Sequence, residues 1–132
     1  MKILIADDDK VLSQMLTSAF RKRGWDVVPA YDTMQAVMFA GREPPPDVIL
    51  LDLSMPGGTG VSALERLKAS SKTVTIPVIV ISGAEEDDIA ERVEMLGAAA
   101  FVKKPVDAGR VVAMVEELLG VSEDGEKDST GS

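Results

Sequence analysis

The sequence predicts a doubly wound α/β domain: a five-stranded parallel sheet with helices on both faces. Three observations carry that expectation. Short apolar runs without polar alternation, such as Val48–Leu51 and Ile76–Ile81, read as strands buried on both faces. The segments between such runs repeat their apolar residues at helical spacing. Strand and helix alternate along the whole of a 132-residue chain, a length that suits one domain with a real core.

Ile3–Ala6 is the first expected strand, ending at Asp7-Asp8-Asp9. Asp9 is placed to cap a helix whose apolar residues are Val11, Leu12, Met15, Leu16, Ala19 and Phe20, with Gly24 as its stop. Asp26–Pro29 is a short second strand, and Pro29 suits its end because it has no backbone donor. Asp32 or Thr33 opens a second helix along Met34, Val37 and Met38, which Pro44-Pro45-Pro46 ends. Val48–Leu51 is the third strand and runs into Asp52. Beyond it, Pro56, Gly57, Gly58 and Gly60 forbid further strand and favour turns with positive φ. Thr59 caps a third helix with Val61, Leu64 and Leu67 inward.

Ile76–Ile81 is the fourth strand and ends at Ser82-Gly83-Ala84. Glu85–Leu96 is a fourth helix, acidic at its dipole-favoured start and closed by Gly97. Ala99–Lys103 is the fifth strand, closed by Lys104-Pro105. Asp107 caps a last helix along Val111, Val112, Val115, Leu118 and Leu119, which Gly120 stops. The methionines at 34, 38, 95 and 114 fall on these stripes and read as core fillers. Residues 1–120 are therefore expected to form the folded domain. Residues 121–132 are acidic and Ser/Gly-containing, and read as a disordered tail or a cut linker. No DNA-binding or enzymatic domain follows Gly120, so the chain is expected to stand alone or to be part of a longer protein.

Composition narrows the function. The net charge of −8 argues against direct binding to nucleic acid or to an anionic membrane. With no cysteine, disulfides and thiolate metal sites are excluded, and a reducing compartment is allowed. The start, Met1-Lys2 with four apolar residues and then three Asp, is too short for a signal peptide, and no apolar run reaches membrane-spanning length. A soluble, cytoplasmic protein is expected.

In an open parallel sheet, ligands bind at the carboxyl edge of the strands, at the point where strand order reverses. The flavodoxin-like order 2-1-3-4-5 puts strands one and three side by side there. Asp7 and Asp8, Asp52, Ser82 and Lys104 would then share one edge. Three converging carboxylates raise one another's pKa unless a cation lies between them, and all-oxygen ligation suits Mg²⁺. A hydroxyl and an ammonium in the same pocket suit phosphoryl oxygens. Any one of these residues alone reads as a turn, a helix start or a strand end.

Four segments in order, ILIADDD, LLDLSMPGGTG, VIVISGA and KKP, resemble a response-regulator receiver domain of two-component signalling. The resemblance covers Met1 to about Gly120. It implies that Asp52 accepts a phosphoryl group to become aspartyl phosphate. It implies Mg²⁺ held by Asp8 directly, by Asp7 mainly through water, by Asp52 and by the backbone carbonyl of Ser54. Ser82 and Lys104 would each meet a phosphoryl oxygen, the Lys104–Pro105 bond would be cis, and Phe101 stands where the family carries its switch aromatic.

The implied partners are a sensor histidine kinase or a histidine phosphotransfer protein, since this chain has no histidine of its own. An unknown downstream protein would read the surface of the fourth helix, fifth strand and fifth helix. The protein would be no enzyme beyond promoting its own phosphorylation and dephosphorylation. Several positions depart from common versions of the family: Leu53 and Ser54 after Asp52 and Ala84, small and apolar, all near the expected path of the attacking water, and Ala98-Ala99-Ala100, without the acidic residues many relatives use to dimerise. Two rival readings remain at this level. ILIADDDKV also fits the opening of haloacid-dehalogenase-type phosphohydrolases, with Asp7 as nucleophile and Asp9 as acid/base. The other rival is an unphosphorylated binding module of the same fold.

Overall fold

The computed structural model describes residues 1–57, 60–83 and 88–121. Five strands, β1 (Lys2–Ala6), β2 (Asp26–Ala30), β3 (Val48–Asp52), β4 (Val78–Ser82) and β5 (Ala100–Lys103), alternate with five helices. These are α1 (Lys10–Arg21), α2 (Thr33–Ala40), α3 (Gly60–Ala69), α4 (Ile89–Met95) and α5 (Ala108–Leu119). The sheet is wholly parallel in the order β2-β1-β3-β4-β5, as expected.

The unbroken apolar runs divide by the two-residue period of a strand. Ile3, Ile5, Val48, Leu50, Ile79 and Ile81 face α1 and α5, where they meet Leu16, Phe20, Val111 and Val115. Leu4, Ala6, Ile49, Leu51, Val78 and Val80 face α2, α3 and α4, where they meet Ala36, Leu64, Leu67 and Val93. Every residue of β3 and β4 is buried, which is why neither strand shows polar alternation. Asp9, Asp32 and Asp107 cap α1, α2 and α5, accepting from Leu12 N, Gln35 N, and Gly109 and Arg110 N.

Whereas α3 buries Leu64 and Leu67 and α5 buries Val111, Val112 and Val115 as expected, α1 and α2 turn differently from the expected stripes. In α2 the buried residues are Thr33, Ala36 and Ala40, while Met34 and Met38 are exposed. At about 100° per residue, those methionines lie ~100–140° around the axis from the buried face. The small side chains at 36 and 40 are what face inward. Likewise α1 buries Ser13, Leu16 and Phe20 and leaves Val11 and Met15 outside. Met95 and Leu118 are also exposed, so of the four methionines read as fillers only Met114 packs against the core. α2 stops at Gly41, before the prolines. The expected cap Thr59 and the acidic start 85–87 of the fourth helix lie outside the described residues; the described part of that helix begins at Ile89.

One buried charge ties the amino edge together. Glu116 of α5 takes a two-pronged contact from Arg23, at 3.1 Å and 2.6 Å, and faces Trp25 Nε1 at 3.5 Å. Phe20 meets the Trp25 ring edge-on at 5.4 Å. Arg23→Ala leaves that carboxylate without its main partner and should destabilise the fold by about 2 kcal/mol, below the usual cost of a fully buried pair because Arg23 is partly exposed. Urea titration followed by Trp25 emission measures it; an unchanged midpoint would mean that Glu116 finds compensation elsewhere.

Candidate functional site

Each polar side chain of interest sits where a strand stops. β1 ends at Ala6 and its next residue, Asp7, is 1% exposed. The Asp7 backbone N–H donates to Ala30 O at 3.0 Å, and its Oδ1 accepts from Asp9 N at 2.8 Å. These bonds hold Asp7 inward and leave Asp8 exposed. Asp52 is the last residue of β3, also 1% exposed, and its Oδ1 accepts from Ser54 N at 3.2 Å. Strand order brings the acids together: carboxylate oxygens of Asp7, Asp8 and Asp52 all lie within 4.8 Å of one another. This is the convergence expected at the β1/β3 switch point.

Lys104 closes the group from the other side. Its backbone N–H donates to Ser82 O at 2.9 Å, and Ser82 pairs in register with Lys103. The ammonium then reaches Asp7 Oδ2 at 3.3 Å and Asp52 Oδ1 at 3.4 Å. The sequence pointed this ammonium at a phosphoryl group; here it bridges two carboxylates. Burial pulls the Lys104 ammonium down, but the Asp52 and Asp7 charges outweigh it and hold its pKa above the ordinary value. Burial foremost, with the Asp52 charge adding to it, pushes Asp7 up despite its Asp9 bond and Lys104.

The raised Asp7 has a stability consequence. A carboxyl whose folded pKa lies above its unfolded value stabilises the fold while protonated, and that contribution is lost as pH rises through the folded pKa. Ionised Asp7 therefore costs stability at neutral pH without metal. Asp7→Asn should raise the thermal midpoint in chelator at pH 7, and the gain should shrink as pH falls through the raised folded pKa and be gone below about 4. A lower midpoint at pH 7 would show that the Lys104 contact outweighs burial.

Among the described residues, two carboxylate oxygens, Asp7 Oδ2 and Asp52 Oδ2, are buried without a hydrogen bond, the former having the off-line Lys104 contact. Buried acceptors left over beside a third, exposed carboxylate are what a hard divalent cation satisfies, so the residues present fit one. Ser54, exposed, keeps its carbonyl in the loop beside Asp52. Ser82 is fully buried at the end of β4. The Lys104–Pro105 bond is cis. Phe101 is not part of the cluster: it lies half-buried on the edge strand β5, packed against the α2–α4 side of the core. Asp9 is spent on capping α1.

Sequence reasoning missed Gly60. Among the expected turn glycines, Gly57 does adopt φ +90°, but Gly60 opens α3 without a positive φ. Its N–H donates to Leu53 O at 3.1 Å, and its bare Cα lies against the Leu53 backbone. A glycine needed for close approach looks in sequence like a glycine needed for a turn.

Fold and site together define a flavodoxin-like domain whose polar centre lies at the switch point beside the central strand. Comparison with known proteins makes the class specific. The chain belongs to the response regulator receiver domain family, whose model matches residues 3–116. It is 33% identical over 118 residues to the phosphate regulon transcriptional regulatory protein PhoB of Pseudomonas aeruginosa; the match covers 89% of this chain and 51% of that one. It thus spans about half the length of that relative. It is 31% identical to Protein PilH of the same organism, over 89% of this chain and 97% of PilH. A Pseudomonas aeruginosa sensor histidine kinase has a receiver domain of known structure with a magnesium ion coordinated in its active site cleft. That domain superposes with a TM-score of 0.77 at 26% identity, over 88% of this chain and 94% of its own. Among the described residues, no helix is long and apolar enough to cross a membrane.

Proposed function

We propose that this domain is a phosphoacceptor: it takes a phosphoryl group onto Asp52 from a phosphohistidine on a sensor histidine kinase or histidine phosphotransfer protein. The observation that carries the reading is Asp52 itself. It is a buried carboxylate at the end of the central strand, with one oxygen lacking a hydrogen bond among the described residues and an ammonium 3.4 Å from the other. A core position is a costly place for a carboxylate with no chemical task.

In the proposed transfer, an Asp52 oxygen bonds to phosphorus while the bond from phosphorus to the donor imidazole nitrogen breaks; that nitrogen keeps the electron pair, and neutral imidazole leaves with its proton on the other ring nitrogen. Asp8, Asp52 and the Ser54 carbonyl would hold Mg²⁺ directly, with Asp7 acting mainly through water. A bound divalent cation offsets the charge gathered on the phosphoryl oxygens. Ser54 N–H keeps the Asp52 carboxylate oriented. Lys104, already within ion-pair distance of Asp52, is placed to follow the charge as it moves onto the phosphoryl oxygens. The Ser82 hydroxyl supplies a donor.

Phosphorylation then trades a carboxylate for a bulkier, more highly charged group, which biases Ser82 and Phe101 toward a second packing. The face of α4, β5 and α5, read by a downstream protein, is the proposed output, with residues 1–120 as the working unit in the cytoplasm. The chain catalyses nothing beyond its own phosphorylation and dephosphorylation. Incubation with acetyl phosphate and magnesium should add one phosphoryl group by intact mass, and chelator should prevent it. No gain under either condition would favour the unphosphorylated binding module.

A further inference from the structure

The loop that follows Asp52 is tied down at several described points, two of which bear on its own position beside Asp52 and α2. Ser54 N–H holds the Asp52 carboxylate, and Thr33 N–H, at the start of α2, donates to Pro56 O at 3.0 Å. Gly57 rests against the same residue: a Cβ built there would lie 3.8 Å from Thr33 Cβ. Thr33 is 1% exposed, yet its buried Oγ1 has no hydrogen-bond partner among the described residues. Capping does not need this hydroxyl, because Asp32 Oδ1 already accepts from Gln35 N at 2.7 Å. Valine would fill the same volume without burying an unpaired hydroxyl, which is costly. The backbone of Pro56 and Gly57 lies alongside, and the Pro56 carbonyl, with two lone pairs, accepts only the Thr33 N–H among the described contacts.

We infer that Thr33 is a positioning residue for this loop, its hydroxyl a donor held in reserve that the loop backbone engages when Ser54 and Asp52 take up a divalent cation. The inference rests on the cation reading given above. A hydroxyl unpaired in the free protein and paired in the loaded one favours the loaded state by the difference, and so tightens metal binding while weakening the metal-free fold.

The test uses the full chain, Mg²⁺ alone as the probe, and two readouts: the thermal midpoint in chelator and calorimetric Mg²⁺ affinity. Thr33→Val should raise the metal-free midpoint and weaken Mg²⁺ binding about five- to tenfold, whereas Thr33→Ser should keep the wild-type affinity. A raised midpoint with affinity within about twofold of wild type makes the hydroxyl a mere packing defect and overturns the inference. A lowered midpoint overturns it too, since the hydroxyl would then already be paired. Asp8→Ala separates the two levels. Unchanged affinity in Asp8→Ala removes the cation site and this inference with it. Affinity lost in Asp8→Ala but kept in Thr33→Val removes the inference alone.

Discussion

Asp52→Asn should abolish phosphoryl incorporation, slowing it at least ~10³-fold, because an amide replaces the proposed nucleophile while keeping its shape. The variant retains an Oδ1 to accept from Ser54 N, so the loop should hold its place. It also removes a buried charge with one oxygen unpaired among the described residues, so the metal-free fold should be no less stable than wild type. Asp9→Asn is the matched control. Asp9 caps α1 from the surface, and asparagine caps as well as aspartate, so incorporation should stay within about twofold. The measurement is intact mass with site mapping after acetyl phosphate and magnesium. A phosphoryl group mapped to Asp7, or lost with Asp9→Asn, would return the chemistry to the phosphohydrolase pattern.

Gly60→Ala should be the most destabilising single-methyl change near the site. Helix propensity alone argues the other way, since alanine in a helix gains up to about 1 kcal/mol over glycine. Here the new Cβ would meet Leu53 Cα, and would lie only 2.8 Å from the Leu53 carbonyl carbon. Those are backbone atoms, and Leu53 is held by its N–H bond to Ile81 O and by its own carbonyl's bond to Gly60 N. Neither side can yield cheaply, so the overpacking cost, ~3 kcal/mol, exceeds the propensity gain. The net loss of about 2 kcal/mol corresponds to a midpoint lowered by roughly 5–10 °C for a domain of this size. Thermal unfolding followed by Trp25 emission decides it. An unchanged or higher midpoint would mean that the turn from Leu53 to Gly60 gives way, and that the glycine is there for propensity-neutral reasons.

The strands were legible in the sequence because burial on both faces leaves an unbroken apolar run, and a run such as Val48–Leu51 has few other readings. The caps Asp9, Asp32 and Asp107 were equally local: a short acceptor next to a helix start does the same work in any fold. The acidic pair, Asp52, Ser82 and Lys104 were visible as residues because each stands where such a run ends. Which way a helix faces was not local. Met34 and Met38 keep helical spacing with Val37, yet Ala36 and Ala40 turn inward, since side-chain size at the helix contact chooses among faces that periodicity leaves equivalent. The partners of Lys104 were not local either. Only strand order, which joins residues 7, 52 and 104 across the sheet, decides that its ammonium lies between two carboxylates. The same holds for Gly60 and Thr33: one needs a backbone too close for a Cβ, the other buries a hydroxyl unpaired among the described residues. Both are properties of distances between segments, which sequence composition and spacing do not carry.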